Sequence, residues 1–253
     1  MKNSSIWAVL LVVAGGYGCS QDENTASLEA TDVPSADDRR PNILLVVIDD
    51  LGFTDIGAFG SEIPTPNLDR LAFEGVRLTN LHAAANCQGT RIMMMASTGM
   101  VRGEVAFPDD LPRPDGQRST QLSRDWATIA ELLQDSGYRT YMAGKWDLGA
   151  YDHSPFHRGF DRAFAIVGSS SSYLGRNMLP ATFEDDGEMF NPEEFPEGYY
   201  TTEVFTDKTL EYLQSSDGES PWFAYLSFNA VHWPLNLPDD WLDRHLGRYA
   251  SSR

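Results

Sequence analysis

The spacing of apolar positions along the chain predicts strands in four places. Ile43–Ile48 is an unbroken run of branched apolar residues, which is typical of a strand buried on both faces of a parallel sheet. Residues 76–81 alternate apolar and polar side chains, as a half-buried strand does. Residues 138–143 and Trp222–Phe228 are rich in apolar and aromatic side chains and complete the set of expected strands.

Helical spacing occurs in three segments between these strands. The first helix is expected to be capped by Thr65, to have Pro66 in its first turn and to end at Gly75, with one apolar face formed by Leu68, Leu71 and Ala72. The second covers about residues 125–136, and the third covers residues 203–213. Because strands and helices alternate, the pattern predicts an α/β fold around a mainly parallel sheet.

Two segments lack a regular apolar period. Residues 168–198 are rich in Ser, Gly, Asp and Pro, which predicts a long irregular excursion; such segments in compact domains often have a functional role. Residues 20–40 are polar and acidic, and this composition predicts a disordered tether. The folded region, residues 41–253, is therefore expected to begin abruptly at Pro41.

The first 19 residues predict a targeting segment. A short basic start precedes an apolar stretch at residues 6–14, which is too short to span a bilayer but suits a secretory signal. The residues before Cys19 resemble a bacterial lipoprotein processing site, although Gly16 stands where a Leu is usual. The alternative is a plain signal peptide with a stray Cys. Both interpretations predict an exported protein, either in the periplasm or as an outer-membrane lipoprotein.

The net charge limits the possible partners. The chain has 37 acidic and 19 basic residues, and its formal charge is -18. Such a surface repels nucleic acid and anionic lipid, so we expect no nucleic-acid partner, and membrane contact only through an N-terminal lipid anchor. A site for an anion must therefore be built locally from a few Lys, Arg and His side chains. Cys19 and Cys87 do not form a disulfide framework, because Cys19 belongs to the targeting segment.

Four polar clusters each follow one of the predicted strands. They are Asp49 with Asp50, the segment 86–91 with Cys87 and Arg91, the segment 144–147 with Lys145 and Asp147, and the segment 229–232 that ends at His232. In open parallel sheets, ligands bind beyond the carboxyl ends of the strands. The four segments, which lie far apart in sequence, are therefore expected to converge on one site.

Each cluster also has an explanation that involves no ligand. Adjacent aspartates after a strand often form a loop or cap a helix, a lone Cys is most often a small buried hydrophobe, and a His between apolar residues is often part of a core. Lys145 beside Trp146 could be a surface lysine that lies on a ring. Taken together, two carboxylates suited to Ca²⁺ or Mg²⁺, a nucleophile, two cations and a histidine indicate transfer of an anionic group. Phosphoryl and sulfuryl transfer are the candidates.

Long stretches of the chain between residue 41 and about residue 249 resemble the type I sulfatases of the alkaline phosphatase superfamily, and the bacterial arylsulfatases most of all. The stretches are PNILLVVIDDLGFTDIGAFGSEIPTPNLDRLAFEGVRLTNLH, the C-x-x-x-R segment at Cys87–Arg91, WATIAELLQDSGYRTYMAGKW, RGFDRAFAIVG, GYYTTEVFTDKTLEYL and AYLSFNAVHWPL. The resemblance implies a large, mostly parallel mixed sheet with helices on both faces.

The resemblance also implies a mechanism. In this family, a maturation enzyme oxidises the Cys that matches Cys87 to formylglycine (3-oxoalanine). The hydrate of this aldehyde attacks sulfur, the alcohol leaves, and the remaining hydroxyl expels sulfate. The implied partners are a sulfated small molecule or glycan and a formylglycine-generating or equivalent enzyme.

The roles of individual residues follow from the same resemblance. The implied ligands of Ca²⁺ are Asp49, Asp50 and residue 87. The residues implied to act in catalysis are Cys87, Arg91, which would hold the hydrate, and Lys145 and His232, which would contact the sulfate.

Departures from the family pattern bear on activity. Gly89 stands two residues after Cys87, where the maturation motif has Pro or Ala, and Ser97 replaces an expected Gly. Asp147 replaces the His that normally bonds the formylglycine hydroxyl, and an ionised carboxylate only accepts hydrogen bonds. The family's later Asp-Asn pair, which completes the calcium shell, and a further Lys are not found in the 253 residues. We therefore interpret residues 41–253 as a C-terminally truncated catalytic domain.

The sequence thus predicts a sulfatase that cleaves a sulfate monoester by formylglycine chemistry with Ca²⁺. The first alternative is a catalytically impaired sulfatase-like protein or fragment that lacks the C-terminal metal ligands. The second is a phosphate or phosphonate monoester hydrolase on the same scaffold. The sequence does not identify the ester, because specificity would lie in loops such as residues 168–198.

Overall fold

The computed structural model describes residues 40–99, 121–168, 172–174, 183–190, 195–196 and 198–248. Its strands are β1 (Ile43–Ile48), β2 (Arg139–Lys145), β3 (Arg162–Ile166), β4 (Phe183–Asp185), β5 (Glu188–Phe190) and β6 (Trp222–Phe228). Its helices are α1 (Pro66–Glu74), α2 (Cys87–Ala96), α3 (Ile129–Asp135), α4 (Thr201–Ser215) and α5 (Asp239–Asp243).

The described strands form one mostly parallel sheet. Their order across the sheet is β1-β6-β2-β3-β4-β5. The first four strands in this order run parallel, with Ile43 opposite Phe223 and Arg139 opposite Trp222. At the other end, β4 and β5 form an antiparallel hairpin. The expected α/β fold with a mixed, mainly parallel sheet is therefore confirmed.

Helices cover both faces of the sheet, as expected. On one face, α2 and α3 contribute Ile92, Met95 and Ala130 to an apolar cluster with β2, β3 and β6. On the other face, α4 contributes Phe205 and Tyr212 to a second cluster with the same strands. The two clusters hold the central strands between layers of helices and so fix the position of their carboxyl ends.

β1 differs from its prediction. Its apolar run predicted burial on both faces, but β1 is the outermost strand of the described sheet and pairs there only with β6. Most of its residues are partly exposed, and Val46 is 43% exposed. An apolar run shows only that its side chains favour burial. The neighbours that would cover them are set by the tertiary structure, and the described residues leave this edge uncovered.

The region around α1 also differs from its prediction. Residues 76–81, which were expected to form a strand, are an irregular connection, and no described strand pairs with them. None of the α1 residues is buried, and Leu71 on its apolar face is 58% exposed. Polar contacts attach the helix instead: the Asp69 carboxylate accepts hydrogen bonds from the Ala58 amide and from Thr65 Oγ1, each at 2.8 Å.

Three other elements have shifted ends. α3 begins at Ile129 rather than near residue 125, because Thr128 and Glu131 form a capping box in which each amide donates to the other side chain, at 2.7 and 3.1 Å. α4 extends beyond the expected residues 203–213 at both ends. β2 also continues past residue 143, so Lys145 is the last residue of a strand and not a loop residue.

Some predictions fall wholly or partly outside the described residues. The targeting segment and most of the tether, residues 1–39, lie outside them, so export and lipid attachment stay predictions. The excursion at residues 168–198 is described in part and includes the β4–β5 hairpin, which the sequence pattern did not predict. No helix among the described residues is long and apolar enough to cross a membrane.

The close packing of β2 against β6 predicts a strong effect of one substitution. Gly144 has a φ of 122°, and a Cβ atom there would lie 1.8 Å from the carbonyl oxygen of Ser227. Gly144→Ala is therefore expected to lower the free energy of unfolding by more than about 3 kcal/mol, measured by urea denaturation. The control is Gly168→Ala, where a Cβ would meet no atom of the described residues within 4 Å and the change should stay within about 1 kcal/mol. Equal losses in the two variants would contradict this account.

Candidate active site

The candidate active site lies at the carboxyl end of the sheet, where three parallel strands stop side by side. β1 leads into Asp49 and Asp50, β2 ends at Lys145 and leads into Asp147, and β6 leads into residues 229–232. Because β6 lies between β1 and β2, all three segments meet at one edge. Ligands of open parallel sheets bind at this edge, and the polar segments were expected to converge there.

The fourth segment is placed by a helix and not by a strand. Cys87 is the first residue of α2, and the Asn86 side chain caps this helix by accepting a hydrogen bond from the Gly89 amide at 2.8 Å. Arg91 is one turn further along and therefore lies on the same side of the helix as Cys87. The expected strand before this cluster is absent from the described structure, but the two residues still reach the carboxyl ends of the strands.

Lys145 is the centre of the cluster and is fully buried. Its Nζ donates a hydrogen bond to Asp49 Oδ2 at 2.7 Å. The same nitrogen lies 3.4 Å from Cys87 Sγ and 3.7 Å from Asp147 Oδ2. One ammonium group thus joins side chains from β1, from α2 and from the segment after β2.

Arg91 is the second buried cation. Its Nη2 lies 3.4 Å from Asp49 Oδ1, and its Nη1 donates to the Lys145 carbonyl at 2.7 Å and to the Tyr225 hydroxyl at 3.1 Å. Nη1 also donates to Ser227 Oγ. Nε and Nη2 are buried, and neither makes a hydrogen bond within the described part of the chain. The guanidinium therefore retains donor capacity for a further acceptor.

Asp147 approaches Cys87 from the end of β2. Its Oδ2 lies 3.6 Å from Cys87 Sγ, with the thiol as donor, and its backbone carbonyl accepts a hydrogen bond from Gln88 Nε2 at 3.1 Å. Its φ of 60° is in the left-handed region, which short polar side chains tolerate better than most. This turn directs the carboxylate back over the end of the sheet, where it is almost completely buried.

His232 lies at the rim of the cluster. Its segment is held against the end of β1, because the Asp49 amide donates to the Ala230 carbonyl at 2.9 Å and the Val231 amide donates to the Asp49 carbonyl at 2.7 Å. His232 Nε2 lies 3.8 Å from Asp50 Oδ2, and both side chains are partly exposed. The structure thus gathers the seven residues that the sequence singled out: four are buried at the centre, Cys87 is partly buried beside them, and Asp50 and His232 lie at the rim.

Burial is the largest influence on the pKa values of Cys87 and Asp147, which face each other across the site. Burial raises the pKa of the Cys87 thiol; Lys145 lowers this pKa in part, and the carboxylates of Asp147 and Asp49 raise it further. Burial likewise raises the pKa of the Asp147 carboxyl, against the lowering effect of Lys145 and Arg91. The thiol therefore stays protonated at neutral pH, and a protonated thiol is a poor nucleophile.

The described residues offer part of a shell for a hard divalent cation. Ligand atoms of Asp49, Cys87 and His232 lie within 4.8 Å of one another, and Asp50 approaches His232. Ca²⁺ takes 6–8 oxygen ligands, more than two carboxylates provide. The Asp49 carboxylate also faces Lys145 and Arg91, whose charges oppose a bound cation. The arrangement suits a weakly held cation that takes further oxygens from water or from outside the described residues.

Three residues near the site were missed by the sequence analysis. Tyr225 and Ser227 point from β6 toward Arg91 and accept its hydrogen bonds. A polar Ser at the end of an aromatic-rich strand was the available signal for Ser227. Tyr173 hydrogen-bonds the backbone of the His232 segment, and its place in an irregular stretch gave no signal.

Comparison with known proteins gives consistent matches. Residues 41–251 match the family model described as Sulfatase. The chain is 34% identical over 238 residues to an uncharacterised sulfatase of Schizosaccharomyces pombe, covering 85% of this chain and 42% of that protein. It is 31% identical over 259 residues to an arylsulfatase of Klebsiella aerogenes, covering 98% of this chain and 52% of that protein. The chain thus spans about half the length of these curated relatives.

Solved structures give the same assignment. The crystal structure of Ps i-CgsB in complex with k-i-k-neocarrahexaose is similar with a TM-score of 0.72 at 26% identity, covering 84% of this chain and 50% of that one. The structure of BT4656 in complex with its substrate D-glucosamine-2-N,6-O-disulfate is similar with a TM-score of 0.58 at 27% identity, covering 77% of this chain and 35% of that one. With a family model that matches most of its length, this chain belongs to the sulfatase family.

Proposed function

We propose that this chain carries the nucleophile and the sulfate-binding cations of an enzyme that hydrolyses a sulfate monoester. In this reaction the ester O–S bond breaks, a new S–O bond forms with an oxygen that comes from water, and the alcohol leaves with a proton. One observation carries the proposal: in a chain of the sulfatase family, Cys87 lies in the first turn of a helix, 3.4 Å from the Nζ of a fully buried lysine.

We infer that Cys87 acts as formylglycine, formed by a formylglycine-generating or equivalent enzyme. A protonated thiol with a raised pKa is poorly suited to attack sulfur, which favours a modified side chain at this position. Once formed, the hydrated aldehyde would supply one hydroxyl as a nucleophile and a second hydroxyl for release of sulfate. Cys87 is only partly buried, so the side chain is open to a substrate from the rim of the site.

The cations of the site have complementary roles in this proposal. Lys145 and His232 would contact the sulfuryl oxygens, and Arg91 would hold the side chain of residue 87. The buried N–H groups of Arg91 that lack acceptors among the described residues support this role, because an anion or a hydroxyl would satisfy them. In a chain with a formal charge of -18, Lys145 and Arg91 are the buried cations that a sulfate group would meet beside Cys87, and Asp49 and Asp147 offset their charge.

Asp49 and Asp50 would hold Ca²⁺, together with the oxygen of a matured residue 87. When bound, Ca²⁺ would add positive charge beside the sulfuryl oxygens. Lys145 and Arg91 both contact Asp49, and both would be free to turn toward the substrate while that carboxylate holds the ion.

A sulfated sugar is the substrate class that the comparisons favour. BT4656 was solved with a disulfated glucosamine as its substrate, and this chain is 27% identical to it. The arylsulfatase of Klebsiella aerogenes supports an aryl sulfate as a convenient test ester.

A catalytically impaired sulfatase-like protein is the second candidate, and Asp147 favours it. An ionised carboxylate 3.6 Å from Cys87 Sγ would repel an incoming sulfate. For two like charges about 4 Å apart, this repulsion is roughly 4 kcal/mol at an effective dielectric of about 20. Lys145 offsets part of this charge. Gly89 also favours this candidate, because it departs from the maturation motif that follows the cysteine.

Calcium binding is expected to be weak in the 253-residue chain. With two carboxylates and two opposing cations, we expect a Kd on the order of 10⁻⁴–10⁻³ M by calorimetric titration. Asp50→Asn should weaken binding by at least about tenfold, whereas Asp207→Asn, an exposed carboxylate on α4, should leave it unchanged. Tight binding that persists in Asp50→Asn would mean that Ca²⁺ binds elsewhere.

The 253-residue chain is expected to show little or no hydrolysis of 4-nitrophenyl sulfate. The incomplete calcium shell and the charge of Asp147 both raise the barrier to sulfuryl transfer. Release of nitrophenol measures turnover, peptide mass spectrometry reports the state of residue 87, and Cys87→Ala gives the background. Asp147→His should restore partial activity only in a longer chain that supplies the remaining calcium ligands. Robust turnover by the unaltered 253 residues would refute this prediction.

The raised pKa of Asp147 predicts how stability depends on pH. The folded chain binds a proton at this carboxyl more readily than the unfolded chain, so its stabilising contribution is complete below the ordinary Asp pKa and is lost as the pH rises through the folded value. Asp147→Asn, which cannot ionise, should therefore gain stability relative to the original chain between about pH 3.5 and 7. Urea denaturation across this range measures the difference.

Asp217→Asn is the control with the opposite sign. Hydrogen bonds from the Ser220 and Glu219 amides lower the pKa of the Asp217 carboxyl. Its stabilising contribution is thus lost as the pH falls through the folded value, and the variant should lose relative stability as the pH rises at the acidic end of the range. A pH-independent difference for Asp147→Asn would contradict the assigned shift.

A further inference from the structure

A short segment of the long excursion lies against the loop that carries His232. The segment Ser172–Tyr173–Leu174, here called the tyrosine segment, is positioned by the start of α4: Leu174 forms a β-bridge with Tyr200, and the Thr201 amide donates to the Tyr173 carbonyl at 2.8 Å. Thr201 also donates from its hydroxyl to Asn229 Oδ1 at 2.9 Å. The tyrosine segment thus fills the space between α4 and the end of β6.

Tyr173 makes two further bonds, both to the loop at residues 229–236. Its hydroxyl donates to the backbone carbonyl of His232, and its amide donates to Asn236 Oδ1 at 3.0 Å. Asn236 Nδ2 in turn donates to Ser172 Oγ at 2.9 Å. Tyr173 is almost completely buried, so these bonds are shielded from water.

Apart from the bond to Tyr173, the described hydrogen bonds of the His232 segment lie on the inner side of the loop or within the loop itself, as does the bond between His232 Nδ1 and the Trp233 carbonyl. On the other side of the loop, the Val231 amide bonds the Asp49 carbonyl, and the His232 amide donates to the Asn229 carbonyl at 3.2 Å. The side chains that flank His232 offer little packing, because Val231 and Trp233 are both exposed. The tyrosine segment therefore forms the outer of two attachments, and the end of β1 forms the inner one.

Electrostatics keep the hydroxyl of Tyr173 available as a donor. Burial raises its pKa, and the carboxylates of Asp49 and Asp50 raise it further. The bond to His232 is thus maintained over the whole physiological pH range.

We propose that Tyr173 is a positioning residue that fixes the backbone of His232 and so holds its imidazole at the sulfate site. The contact between His232 and sulfate rests on the proposed function. The attachment of the loop by Tyr173 does not depend on it. It gives part of the excursion at residues 168–198 a defined role, because this segment orders a binding residue that the sheet alone leaves at its rim.

Hydrogen exchange of the 253-residue chain tests the attachment without any ligand. In Tyr173→Phe, exchange of the amides of Val231 and His232 should become roughly tenfold faster, while amides in β2 and β6 keep their rates. The control is Tyr199→Phe, which removes a buried hydroxyl without a hydrogen-bond partner in the described structure and should not affect these amides. Asn236→Ala, which removes the acceptor of the Tyr173 amide, should act in the same direction as Tyr173→Phe.

A double-mutant cycle tests the action through His232. Calorimetry with inorganic sulfate gives the Kd for the original chain, Tyr173→Phe, His232→Ala and the double variant. We expect His232→Ala to weaken binding, Tyr173→Phe to weaken it by roughly threefold to tenfold, and the double variant to bind like His232→Ala alone. A general structural effect of Tyr173 would instead add to the loss in the His232→Ala background.

The outcomes separate this proposal from the proposed function. If the original chain and His232→Ala bind sulfate equally, or neither binds it, the assigned role of His232 is wrong, and the exchange rates alone decide whether Tyr173 holds the loop. If His232→Ala weakens binding but Tyr173→Phe changes neither the Kd nor the exchange rates, the positioning proposal is overturned and the proposed function stands. Additive losses in the cycle would also overturn it.

Discussion

The ion pair between Lys145 and Asp49 is the interaction on which the site depends. It joins the ends of β2 and β1 across β6, and both groups are buried. Removing one partner of such a pair typically costs about 3–5 kcal/mol, because the other charge is left buried and uncompensated. Gly144, the residue before Lys145, packs against the Ser227 carbonyl with no room for a Cβ atom, so the close packing of β2 against β6 lies directly beside the buried charges of the site.

The charges in the buried centre of the site nearly balance. Lys145 and Arg91 face Asp49 and Asp147, so two cations meet two carboxylates. A sulfate ester that enters such a site finds little net positive charge. A cation bound at Asp49 would free Lys145 and Arg91, and a protonated or neutral residue 147 would remove one negative charge. A metal ion at Asp49 and a change of charge at residue 147 would thus both change the net charge that the site presents to an anion.

Much of the architecture follows from local patterns in the sequence. The alternation of strands and helices predicted the α/β fold, and α3 and α4 were predicted with errors only at their ends. The position of the site was also predictable, because polar clusters after parallel strands share one edge of a sheet. The strand expected at residues 76–81 failed because alternation of side chains does not provide a pairing partner. The β4–β5 hairpin was missed because its strands are only three residues long.

The sequence by itself determined which residue types stand at the ends of the strands, that Arg91 follows Cys87 by four residues, and that any anion site must be local in so acidic a chain. Only the tertiary structure decided that Lys145 bonds Asp49, that Asp147 faces Cys87, and that Tyr173 holds the backbone of His232. Side-chain period and composition act over a few neighbouring residues. These contacts join residues that lie about 60 to 96 positions apart, and their distances depend on how the sheet, α2 and α4 pack against one another.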